Sequence, residues 1–163
     1  MARNIVIPAL VAILMSTGAN AGSDSMVKEI EVQVDLTALE NPAAAARYAT
    51  IAADLQSALA TRLTDRIAEE GMRISVDLSE FELSNSFQEA LGLADSKLVG
   101  DVKITDEKDN SNFEAYELTV TVEQARSFFP EGIDFATQTA SSEEYYQAMI
   151  AAFADGLVKR LDE

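Results

Sequence analysis

Four stretches of this chain alternate apolar and polar residues, and that alternation constrains the fold more than any other feature. Ile30, Val32, Val34 and Leu36 are apolar, while Glu31, Gln33 and Asp35 between them are polar. The pattern returns with Ile74, Val76 and Leu78 against Arg73, Ser75 and Asp77, then with Leu98, Gly100, Val102 and Ile104, then with Tyr116, Leu118, Val120 and Val122. Successive strand side chains point to opposite faces, so each stretch predicts a strand with one buried face and one wet face.

Two apolar stripes with helical spacing supply the cover. Asn41-Pro42 places a capping side chain before a proline suited to a first helical turn. Tyr48, Ile51, Leu55, Leu59, Leu63 and Ile67 follow at three- and four-residue steps, with Ala52 and Ala58 beside them, up to Gly71. That spacing predicts one long helix from Pro42 to Glu70, roughly 43 Å at 1.5 Å per residue, stopped by a left-handed glycine. A second stripe runs Tyr146, Met149, Phe153, Leu157 and Leu161, opened by the capping box Ser141-x-x-Glu144 and closed by Lys159 and Arg160, cations that suit a helix C-terminus.

Between these elements Ser86–Gly92 suits one or two helical turns, and the polar run Asp106–Asn112 reads as a turn. The segment from Glu123 to Ala140 is long for a loop in a compact domain. Its Pro130-Glu131-Gly132 turn, followed by alternating Ile133, Phe135 and Thr137, permits a fifth strand at 133–139, hairpinned to the fourth. The predicted fold is therefore a two-layer α+β sandwich: a mostly antiparallel sheet of four or five strands, two long helices on one face, in the order β-α-β-β-β-(β)-α. In that order of elements the chain resembles small envelope modules such as the lipoprotein partner of the outer-membrane lipopolysaccharide translocon. The resemblance is architectural and spans most of residues 22–163; the lipid-bearing cysteine of that family has no counterpart, since the chain contains no Cys. It implies a fold and carries no residue role across.

The first residues follow the order of a secretory signal: Arg3 as the charge, an apolar run Ile5–Met15 broken at Pro8, and Ala19-Asn20-Ala21 as a small-residue cleavage step. Cleavage is expected after Ala21, leaving residues 22–163 as a single periplasmic domain. The apolar run is about half the roughly 20 residues that a membrane span needs, so no membrane insertion is expected after cleavage. The chain has 28 acidic against 12 basic residues and a formal net charge of −16, a surface that repels nucleic acid and anionic lipid.

Candidate chemistry is bounded by what the chain lacks. With no His and no Cys, neither Ser-His nor Cys-His nucleophile pairs nor a zinc site of the usual ligands can form. No cofactor is expected, and an enzyme would have to work with carboxylates, Lys, Ser or Tyr. The Asp106–Asn112 run gathers oxygen ligands, but it lacks the EF-hand spacing and carries Lys108 in its middle. On the polar sheet face Glu29, Glu31, Asp35, Asp77, Asp101 and Glu117 stand with Arg73, Lys103, Thr119 and Thr121, a mixture that either solvates the sheet or docks a basic partner. Phe128, Phe129 and Phe135 cluster around the Pro130 turn, where they either close the end of the core or form a partner contact. The expectation is a non-catalytic exported module that binds a protein of the cell envelope through the Phe128–Phe135 loop or a sheet edge. The alternatives are a small-ligand or calcium-binding protein and, third, a carboxylate-based enzyme.

Overall fold

The computed structural model describes residues 26–34, 49–82, 97–106, 108, 113–132 and 143–163. The expected signal segment 1–21, Asp35, Leu36, the expected helix start at Asn41-Pro42, Tyr48, the turns expected at 86–92, most of the 106–112 run, Phe135, the fifth strand expected at 133–139 and the expected Ser141 cap lie outside them. The elements are β1 (Val27–Val34), α1 (Ile51–Arg62), β2 (Met72–Glu82), β3 (Lys97–Asp106), β4 (Glu114–Thr121), a short α2 (Val122–Ala125) and α3 (Glu143–Leu161). The strands form a mixed sheet in the order β1-β2-β3-β4. β2–β3 and β3–β4 are antiparallel, whereas β1–β2 is parallel, as a crossover through α1 requires.

Register turns the alternation into rows. Val32, Val76, Val102 and Tyr116 lie side by side on the helix face, and Val34, Leu78, Gly100 and Leu118 form the next row. Gly100 leaves a gap in its row, and Phe153 of α3 fills it: a Cβ there would stand 3.0 Å from the Phe153 ring. The stripe residues Ile51, Leu55, Leu59, Leu63, Met149, Phe153 and Leu157 are fully buried in the same core. α3 also buries Tyr145, Ala148, Ile150, Ala152 and Ala154, because it packs on the sheet, on α1 and on the turn after β4. The two long helices are tied together by polar contacts at both ends of α1. The Tyr146 hydroxyl donates to Asp54 Oδ2 (2.6 Å), and Arg62 Nη2 donates to the Ala151 carbonyl (3.1 Å).

Three boundaries differ from the sequence reading. α1 ends at Arg62 rather than Glu70. The Thr61 and Thr64 hydroxyls donate back to the carbonyls of Ser57 and Ala60 (2.8 and 3.0 Å), a local competition with the helix ladder. After one 3₁₀ turn (Thr64–Arg66) the chain extends at Ile67, and the Ala68 N–H donates to the Val27 carbonyl at 3.0 Å. Ile67 therefore leaves the stripe and is 47% exposed. Gly71 does have positive φ, +145°, but it serves the turn into β2: a Cβ there would collide with the Met26 carbonyl oxygen. Finally, Val122 starts α2 instead of ending β4, because Gln124 Oε1 accepts the Thr121 N–H (2.8 Å) and turns the backbone into a helix.

Candidate interaction edge

The two edges of the sheet are built differently. β1 has a register irregularity between Val27 and Glu29, exposed Lys28 and Glu29, and a start flanked by the Ile67–Ala68 segment. Bulges, charges and covering segments are the devices by which proteins blunt an edge strand. β4 pairs with β3 without any shift from Lys97↔Thr121 to Ile104↔Glu114 and contains neither Pro nor Gly. Among the described residues β4 ends the sheet, and its eight residues present a regular backbone edge of roughly 27 Å.

A groove of about 310 Å³ runs beside that edge, between β4 and the last turns of α3. Tyr116 and Leu118 point to the helix layer beside α3 but are only half-buried. Gly156 opens the floor: a Cβ there would touch only the Leu118 methyls, at 3.7 and 3.8 Å. Over the Tyr116 ring lies the Arg160 guanidinium, 5.3 Å from the centroid, held also by Glu163 at 3.3 Å and Glu114 at 3.9 Å. Burial, and then the Glu114 carboxylate, push the Tyr116 phenol up to about 12, although Arg160 pulls the other way. Its hydroxyl oxygen is buried and has no hydrogen-bond partner within the described residues.

On the open face, register lines up carboxylates. Gln33, Asp77, Asp101 and Glu117 form one row across all four strands, and Asp77, Asp101 and Glu117 are all exposed. Like charges directly opposite one another in a sheet are destabilising. Elsewhere on the face charges pair: Arg73 Nε meets Glu29 Oε2 at 2.7 Å. Val99 is apolar on this face and is buried beside the irregularity at Leu78/Glu80.

The aromatic cluster sits at the end of the core. Phe128 and Phe129 are half-buried and pack against it, with the Phe129 ring edge-on to Tyr145 (centroids 5.9 Å apart, planes at 75°). Of the 106–112 run, Asp106 and Lys108 are described: Asp106 accepts the Lys108 N–H (2.9 Å), and the Lys108 ammonium pairs with Glu70. That pairing holds the Glu70 carboxyl below its usual range. Among the described residues no group of three acidic side chains is placed to hold a metal ion, and no helix is long and apolar enough to cross a membrane.

Sequence reasoning named Tyr116, Leu118, Asp77, Asp101 and Glu117 only as members of faces. The groove and the acidic row depend on register and on how far α3 reaches, neither of which leaves a sequence signal. The turn at Thr121 does leave one, Thr121-x-x-Gln124, a capping-box spacing in the unassigned region.

No family model matches the chain, and no curated protein matches it. Among solved structures, a PelC dodecamer from Paraburkholderia phytofirmans is similar at 11% identity and TM-score 0.47, over 85% of this chain and 87% of that one. A minor lipoprotein from Acinetobacter baumannii is similar at 16% identity and TM-score 0.41, over 83% of this chain and 92% of that one.

Proposed function

We propose that this chain is a non-catalytic, exported module of the cell envelope that binds a protein partner along the outer edge of β4. One observation carries the reading: an eight-residue edge strand with no bulge, proline or cover among the described residues, beside a half-open groove. Such an edge is a ready template for another chain, and strand addition is a common mode of peptide recognition. The contact is assigned to β4 for its regular backbone edge; Phe128 and Phe129 are half-buried against the core, as Tyr116 and Leu118 are, and Phe135 lies outside the described residues. The absence of His and Cys from the sequence supports a binding role over nucleophilic catalysis. Export rests on the N-terminal charge–apolar–small order, with the periplasm as destination and Gly22 as the first mature residue.

A photo-crosslinking amino acid at Thr119, exposed on β4, tests the interaction in intact cells, with exposed Thr61 on α1 as the control position. A discrete adduct from Thr119 and none from Thr61 is the expected result. Equal labelling from both, or none from either, would remove the reading. Mass spectrometry of the envelope fraction tests export separately, and a mature protein retaining Met1 would overturn it.

A further inference from the structure

We propose that the strand added to β4 is an extended segment of a basic partner, with a Lys or Arg opposite Glu117 and apolar side chains on both sides of it; this rests on the interaction reading above. Three features of the edge select that pattern. Tyr116 and Leu118 flank Glu117 and face the groove, so the residues that pair with them send their side chains to the same side. Gly156 provides depth there, and the Tyr116 ring and Leu118 methyls provide apolar contact. A branched side chain of Val or Ile size suits both positions.

The central position is set by charge. Its side chain projects to the open face, next in line after Asp77, Asp101 and Glu117. Neighbouring strands lie about 4.8 Å apart, so a cation there meets Glu117 directly and feels Asp101 one strand further in. The row is unfavourable for the isolated sheet and becomes favourable when a cation closes it. A second copy of this chain is a poor occupant. With a formal charge of −16, and β4 itself carrying Glu114 and Glu117, edge-to-edge pairing brings like charges together.

The test uses residues 22–163, isotope-labelled, and two capped peptides: acetyl-Ser-Thr-Val-Lys-Val-Thr-Ser-amide, and the same peptide with Glu in place of Lys. Backbone amide shifts are followed by NMR at low ionic strength with peptide up to millimolar concentration. The Lys peptide is expected to move the amides of β4 and of the α3 end. The Glu peptide is expected to bind at least about tenfold more weakly. Glu117→Lys should invert that preference, and Gly156→Leu, which fills the groove floor, should weaken both peptides while leaving the shifts of β1 and β2 in place.

Equal binding of the two peptides, or a preference that Glu117→Lys leaves unchanged, overturns the charge assignment. No binding of either at millimolar concentration overturns the proposal, as does concentration-dependent self-association that broadens β4 amides without peptide. Thr119 adducts in cells combined with peptide failure would leave the interaction reading standing and remove only the partner chemistry.

Discussion

Among the described residues β1 and β4 are the two ends of one sheet, yet one is finished as a surface and the other is not. At β1 the irregularity after Val27, the charges of Lys28 and Glu29 and the Ile67–Ala68 segment interrupt the edge, and α1 covers the inward face down to fully buried Leu55 and Leu59. At β4 the ladder is regular to its end, and Tyr116 and Leu118 stay half-buried beneath α3. Packing thus decides the β1 side, where each side chain is constrained from several directions. The β4 side has two half-buried core side chains and, on the open face, a row of exposed carboxylates. A difference of that kind within one small sheet separates the side that stability depends on from the side proposed to bind.

The largest expected effect tests the packing half of the contrast. Leu59→Ala should cost about 2–5 kcal/mol in denaturant unfolding, because it empties a fully buried site. Leu118→Ala, on the groove, should cost clearly less, about 1 kcal/mol by area. Equal costs would show that α3 closes over β4 in solution.

Glycines test the same contrast at the backbone. Gly71→Ala forces a side chain into positive φ and against the Met26 carbonyl, and should cost about 2–4 kcal/mol. Gly156→Ala meets only ordinary van der Waals contacts within a helix, so the gain in helix propensity should leave stability unchanged or raise it by up to about 1 kcal/mol. A destabilised Gly156→Ala would mean that the groove floor is tighter than its geometry.

The acidic row predicts a smaller effect of opposite sign. Asp101→Asn removes the middle carboxylate and should stabilise the domain by about 0.2–1 kcal/mol. The gain should be largest at low ionic strength and shrink near 0.15 M salt, where screening acts over about 8 Å. Destabilisation instead would show that Asp101 is paired through the sheet face.

The finest test is alkaline. The Tyr116 phenol is raised from 10.0 to about 12 in the fold, so folding favours its neutral form. Its contribution is complete below pH 10 and is lost as pH rises from 10 towards 12. Tyr116→Phe should flatten that part of the stability–pH curve and remove one late-ionising tyrosine from the tyrosinate absorbance titration. Tyr146 is also raised, by burial and then by its bond to Asp54, and should remain as a second late phenol. A half-buried group is partly screened, so the change in slope should be modest.

Element type was legible where a side-chain period ran unbroken. Each of the four strands overlaps its alternating stretch, although Val122 belongs to α2 and Leu36 lies outside the described residues, and Ile51, Leu55, Leu59 and Leu63 are buried as their stripe required. Those outcomes depend on nearest-neighbour geometry, a period of 2.0 or 3.6 that every residue carries locally. Ile67 followed the same helical spacing yet lies outside the helix, because a backbone hydrogen bond from Ala68 to Val27, some forty residues away in the chain, outweighed local preference. The parallel pairing of β1, the alignment of Asp77, Asp101 and Glu117, and the gap between Gly156 and Leu118 were likewise decided only by tertiary structure. Each is a relation between distant segments. The sequence by itself determined which faces are apolar; register and the reach of α3 decided which of those faces stayed open.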